Sequence, residues 1–228
     1  MLRETPPMTA RGYAPSGAHV VYVTPEHFGE DGFPADYVIA GPEWEPLLTL
    51  RGWYSAKHVL LRDILDMDYY PVARRPPEDN RNFAWSPDGR KLAYRSGPLE
   101  VSVYDLDRGT TTAVRIPARQ VLAWAGAGAL LLTAGDEPKG PYAAAFYDLA
   151  TARQTPLLYL DGRPFLTSPN GRVAAFTLGP AEPDAGKVAL LDLPGGALHP
   201  QPPQQPCPLP DHYAASPVAF AADGTSLT

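Results

Sequence analysis

Side chains able to bind or react are thinly spread along this 228-residue chain. The densest acidic cluster is Asp63, Asp66 and Asp68, followed by Tyr69 and Tyr70. Carboxylates at that spacing can hold a hard cation through oxygen, but the stretch has no loop glycine and no glutamate where an EF-hand would need one. They read better as solvated carboxylates of a turn or a helix, with the cation left open as the alternative. Ala56, Leu60, Leu61, Ile64 and Leu65 just before them have helical spacing, so residues 56–67 are open between helix and strand. The five histidines, His19, His27, His58, His199 and His212, show no ligand spacing and read as ordinary strand and loop residues.

Motifs that organise chemistry are missing from these residues. There is no Gly-x-Ser-x-Gly nucleophile elbow. There is also no phosphate loop, no Gly-x-Gly-x-x-Gly in a βαβ frame and no His-Glu-x-x-His. No catalytic, cofactor-binding or metal-binding residue is therefore assigned, and no cofactor is expected. Binding has more candidates. Trp44, Trp53, Trp85 and Trp124 can stack on a ligand, although Trp85 and Trp124 fall on a repeated motif and read as packing residues. Glu26, Glu30, Asp31 and Asp36 surround Gly29 and Gly32 in what reads as a long polar hairpin loop. Pro194 to Pro210 holds seven prolines, read as a stiff connector, with Pro203-Gln204-Gln205-Pro206 spaced like a ligand for aromatic grooves.

Composition narrows the partners. A net charge of −6 without a basic stripe argues against nucleic acid. The longest uncharged stretch, Val121 to Gly135, falls short of the roughly 20 residues that cross a bilayer, so no membrane partner is expected. The first twenty residues carry Arg3 and Glu4 with no apolar run behind them, unlike a secretory signal. Cys207 stands alone, without a disulfide or zinc partner, and a cytoplasmic location is the expectation. With 44% hydrophobic and 19% charged residues the chain can bury a core. Its 28 prolines and 20 glycines imply many turns between short elements.

The elements that would position these residues show as repeats. Phe83-Ala84-Trp85-Ser86-Pro87-Asp88-Gly89-Arg90-Lys91-Leu92-Ala93-Tyr94 is echoed by the stretch from Leu166 to Phe176, which contains Ser168-Pro169-Asn170-Gly171. Degenerate copies start at Tyr13, Ala123 and Phe220. Each is strand, tight turn, strand: proline presets φ, Asp or Asn bonds the local backbone, and glycine accepts the positive φ. A second strand ending in Asp and a turn follows, at Asp105, Asp148 and Asp192, which are 43 and 44 residues apart. A period near 40 with four short strands is that of a propeller blade. The 72 residues between Tyr13 and Trp85 leave room for two compact blades. The expected architecture is all-β, a β-propeller with about five four-stranded blades and an incomplete sixth.

The Ser86-Pro87-Asp88-Gly89 turn, the apolar strand after it and the Asp105 turn resemble the TolB-type, WD40-like propeller repeat. The resemblance is closest over residues 80–117 and weaker over 119–158 and 163–198. It implies that Leu92, Tyr94, Val101 and Val103 pack between blades. It also implies a ring that must close, whereas the chain stops at Thr228 within a new blade. One propeller domain spanning 1–228, cut short at its C-terminus, is the expectation, with dimerisation through open blade edges as one consequence. The same repeat occurs in interaction propellers and in the substrate-gating propeller of prolyl oligopeptidase-like serine peptidases. The first reading is thus a non-enzymatic scaffold binding a protein or peptide through loops or channel mouth. The alternative is a gating propeller whose hydrolase domain lies outside this chain.

Overall fold

A computed structural model describes residues 10–25, 33–54, 82–134, 142–160, 166–168, 171–178, 183, 187–193 and 198–200. Among them every regular element is a strand. β1 (Ala10–Tyr13), β2 (Val20–Pro25), β3 (Phe33–Ala40) and β4 (Pro46–Tyr54) pair in that order as an antiparallel meander. β5 (Phe83–Trp85), β6 (Lys91–Gly97), β7 (Glu100–Asp105) and β8 (Thr110–Ala113) repeat the pattern. So do β9 (Ala118–Ala125), β10 (Ala129–Ala134), β11 (Tyr142–Asp148) and β12 (Gln154–Leu160). The last sheet is β13 (Leu166–Thr167), β14 (Val173–Thr177), β15 (Val188–Asp192) and β16 (Leu198–Pro200). The chain forms two compact units, Met1–Ala113 and Val114–Thr228, with two of these sheets in each.

These are the four-stranded sheets that the repeat foretold. The first begins at Ala10 and ends at Tyr54, so the second blade expected before Trp85 falls on residues 55–81, outside those described. The same holds for the copy at Phe220 and for the helix-or-strand stretch 56–67. Pro200, expected in a connector, instead ends the edge strand of the last sheet and lies opposite Ala189. Proline suits an edge strand because its missing N–H removes only one ladder bond.

Each sheet is apolar on both faces of its second strand. Val20, Val21, Tyr22 and Val23 on β2, Leu92, Ala93 and Tyr94 on β6, and Leu130, Leu131 and Leu132 on β10 are all buried. Continuous burial of this kind marks a sheet covered on both sides. In the first unit Val21, Val23, Tyr37 and Ile39 form one core with Phe83, Leu92 and Tyr94 of the second sheet. Leu92 and Tyr94 thus meet the neighbouring sheet as expected. Val101 and Val103 are buried on β7, where the register with β6 sets them opposite Arg95 and Ala93, on the other face of that sheet.

Tyr37 is the hub of this core. Its ring meets Phe83 edge-on at 6.0 Å and Tyr94 at 5.4 Å, and its hydroxyl donates to the Trp53 carbonyl at 2.7 Å. Complete burial drives the phenol far above its ordinary pKa, against a smaller opposing pull from the Arg95 guanidinium. Gly52 permits the approach: a Cβ there would stand 2.5 Å from the Arg95 carbonyl oxygen and 2.6 Å from the Tyr37 ring. The second unit has a parallel core of Ala123, Leu131, Ala174, Phe176 and Leu191.

The repeated turns are held by side-chain bonds. Ser86 Oγ donates to Asp88 Oδ1 at 2.6 Å and accepts the Lys91 N–H at 2.8 Å, while Gly89 takes φ +69°. Ser168 accepts the Val173 N–H in the same way at 3.0 Å, with Gly171 at φ +66°. The Asp turns close likewise, Asp105 on Arg108 N and Asp148 on Ala150 N and Thr151 N. Backbone bonds then join the two turns of each sheet, Leu106 N to Arg90 O, Leu149 N to Gly128 O and Leu193 N to Arg172 O, all at 2.9 Å.

Two predictions follow from these contacts. Hydrogen bonds from Ser86 and the Arg90 N–H hold Asp88 below the usual carboxylate range. A depressed folded-state pKa adds stability above the ordinary value, and this is lost as pH falls through the lower folded value. Urea unfolding should therefore show an acid-side decline that Asp88→Asn flattens, and Ser86→Ala should cost about 1 kcal/mol at neutral pH. In the second unit Thr133 and Gln120, opposite each other on β10 and β9, are buried, and neither Thr133 Oγ1 nor Gln120 Oε1 has a hydrogen-bond partner. Thr133→Val keeps the shape and removes the buried hydroxyl, so thermal unfolding should show a gain of about 1 kcal/mol.

Candidate functional site

In the first unit the turns joining β1 to β2, β3 to β4, β5 to β6 and β7 to β8 lie at the same end of their strands. Register shows this: Tyr13, Val20, Ala40 and Pro46 are successive partners across the first sheet, as are Trp85, Leu92, Tyr104 and Thr111 across the second. The turn at 86–90 also packs on the turn at 14–19, since a Cβ on Gly89 would be 3.3 Å from Ser16 Oγ and 3.4 Å from Ala14 Cβ. The two sheets therefore present one continuous rim of turns.

Aromatic side chains gather on that rim. Tyr13 is 57% exposed. Its ring stands edge-on to Trp44 at 6.1 Å and 78°. Trp44 in turn meets Tyr22 at 6.1 Å and packs on Val20, Val38 and Ala40, leaving the indole half-buried. Beside them His19 stacks on Trp85 at 6.3 Å, and the Trp85 indole N–H donates to the Gly12 carbonyl at 3.2 Å.

The backbone under Trp44 is strained. Its φ is +66°, a left-handed value that costs a non-glycine residue about 1–2 kcal/mol. Two bonds impose it, Trp44 N to Gly41 O and Gly41 N to Glu45 O, both 3.0 Å. The exposed Glu43 and Glu45 flank Trp44 in the sequence, and Glu45 folds back so that a Cβ on Gly41 would fall on its carboxylate. Strain of this kind persists where the surroundings hold a side chain in place, here an indole at the surface.

Of the other residues read from the sequence, Trp124 is buried on β9 and packs, as expected. Trp53 lies on β4, half-buried, with no acceptor for its indole N–H. Asp36, expected in a loop, is on β3 and accepts from Arg51 at 3.0 Å across the sheet. Glu26, Glu30, Asp31, the cluster Asp63, Asp66 and Asp68 with Tyr69 and Tyr70, His27, His58, His212, Cys207 and Pro202 to Pro210 lie outside the described residues. His199 is on β16, opposite Leu190. Among the described residues no three His, Cys, Asp or Glu side chains converge as metal ligands, and no helix is long and apolar enough to cross a membrane. Tyr13 and the strain at Trp44 escaped the sequence reading. A signal was there: the turn Gly41-Pro42-Glu43-Trp44-Glu45 has no second glycine to take the positive φ.

No protein-family model and no curated protein sequence matches the chain. Solved structures do. TolB from Acinetobacter baumannii superimposes with a TM-score of 0.52 at 15% identity, over 96% of this chain and 47% of that one. The β-propeller domain of Cps50 (Swd1) from Myceliophteria thermophila gives 0.45 at 12% identity, over 84% of this chain and 53% of the other. The chain spans about half the length of these structures. At such identity the likeness to TolB establishes the fold alone, and with the four-stranded sheets it makes the chain a β-propeller.

If Trp44 is held at the surface for contact and not for packing, its removal should cost little. Trp44→Gly relieves the left-handed strain while losing the indole, and its stability by urea titration should lie within about 1 kcal/mol of the parent. Tyr22→Ala in the same cluster should cost about 3 kcal/mol. A comparable loss for Trp44→Gly would make the indole a packing element.

Proposed function

We propose that this chain is a non-enzymatic propeller scaffold that binds a protein or peptide partner through the turn rim of its first unit. The observation carrying this reading is the pair Tyr13 and Trp44, one exposed and the other held in a strained backbone beside it. Aromatic rings that keep an exposed face supply large contact area at low entropic cost, which is why they concentrate in binding patches. The rigid turns around them need little reordering on binding, and that saves part of the cost of association.

Photo-crosslinking in cells of the source tests the reading, with benzoylphenylalanine in place of Tyr13. The expected outcome is one dominant adduct of defined mass that disappears when Trp44→Gly is added, while a probe in place of exposed Thr112 on β8 gives none. Loss of the adduct's dependence on Trp44 would sink the proposal. Fluorophosphonate labelling of the natural gene product separates it from the alternative, the gating propeller of a prolyl oligopeptidase-like serine peptidase, which would label.

A further inference from the structure

The indole at position 44 lies between two acidic neighbours, and this composition says what the rim would recognise. Glu43 and Glu45 are both exposed, one on each side of Trp44 in the sequence, and Glu45 is folded back over Gly41 rather than extended into solvent. The rings of Trp44 and Tyr13 are 6.1 Å apart and nearly perpendicular, so a face of one and an edge of the other meet at the surface. The face of an aromatic ring is its negative side, and a cation within about 6 Å of it is attracted.

The turns at 14–19 and 41–45 contain no lysine or arginine, and His19 is stacked on Trp85. Of the described arginines of this unit, Arg90 pairs with Asp107 at 3.2 Å and Arg51 with Asp36 at 3.0 Å. The 14–19 and 41–45 turns of the rim thus join aromatic surface to negative charge with no lysine or arginine of their own, and the chain's net charge of −6 has the same sign. A neutral apolar partner would leave Glu43 and Glu45 without a counter-charge as they lose water, whereas a basic one would pair with them.

We infer that the rim takes an arginine-bearing segment of its partner, the guanidinium lying against Trp44 and Tyr13 and hydrogen-bonding the Glu43 and Glu45 carboxylates. Guanidinium fits better than ammonium because it is planar, stacks on aromatic faces, is more weakly hydrated and presents several donors to carboxylates. The inference rests on the peptide-binding reading above and names the chemistry of that partner.

The probes are two pools of acetylated, amidated pentapeptides, with arginine or with its uncharged isostere citrulline at the centre and uncharged residues elsewhere. The readout is the indole N–H resonance of Trp44 in the full-length 15N-labelled chain. The arginine pool should shift that resonance with at least tenfold higher apparent affinity than the citrulline pool. The combined change Glu43→Gln and Glu45→Gln should erase the difference while leaving the folded spectrum elsewhere intact. Raising salt should weaken the arginine pool alone. Equal responses to both pools, or a difference that survives the Gln substitutions, would overturn the guanidinium inference and leave the peptide-binding reading standing. No response at Trp44 to either pool would overturn the inference as well, and the Tyr13 crosslink then decides the broader reading separately.

Discussion

None of the described sheets can stand alone, because the second strand of each is apolar on both faces. Burying Val20 to Val23 or Leu130 to Leu132 requires a layer on each side. A full-length side chain of this kind yields about 1.5–3 kcal/mol when covered, so an isolated sheet would leave many such contributions unrealised. Within each unit two like sheets meet, each completing its neighbour's core. Tyr37 shows how specific such a joint is: phenol, carbonyl acceptor and two perpendicular or tilted rings come from four strands of two sheets. The glycine at position 52 is the other half of that fit, since any side chain there would collide with the Arg95 backbone.

Stacked layers leave the turns as the surface that can vary, and here the turns are rigid. Hydrogen bonds that Ser86, Ser168, Asp105 and Asp148 accept from nearby backbone N–H groups replace what a longer loop would leave to solvent. The bonds from Leu106, Leu149 and Leu193 to the preceding turn join the two turns at that end of each sheet. A rim built this way offers side chains in set positions, and the aromatic cluster of the first sheet uses it. The strain under Trp44 fits the same logic, because the compact bonds of the 41–45 turn offset a backbone cost that a flexible loop would relax.

The acidic flanks of Trp44 give this patch a sign as well as a shape. Aromatic surface alone would be served equally by apolar side chains, and carboxylates alone by any cation in water. Their combination in one five-residue turn selects for a planar, partly dehydrated cation. On the strands of the same sheet, by contrast, Asp36 is matched by Arg51.

Much of this fold was legible in the residues themselves. The Ser-Pro-Asp-Gly turn, the spacing of Asp105, Asp148 and Asp192, and the strand patterns define four-stranded repeats by local chemistry, since φ preference and side-chain reach act within a few residues. Packing of Trp124, Leu92 and Tyr94 followed from the same register. Asp36 and Pro200 did not, because their neighbours do not reveal whether a polar or proline residue ends in a loop or on a strand whose partner lies ten or more residues away. The rim is more distant still from sequence. Tyr13, Tyr22 and Trp44 are spread over three segments, and only pairing of β1, β2 and β3 sets their rings together. Local propensity chose the strands and turns, while long-range pairing chose which aromatic residues stayed exposed, because exposure depends on what the rest of the chain covers.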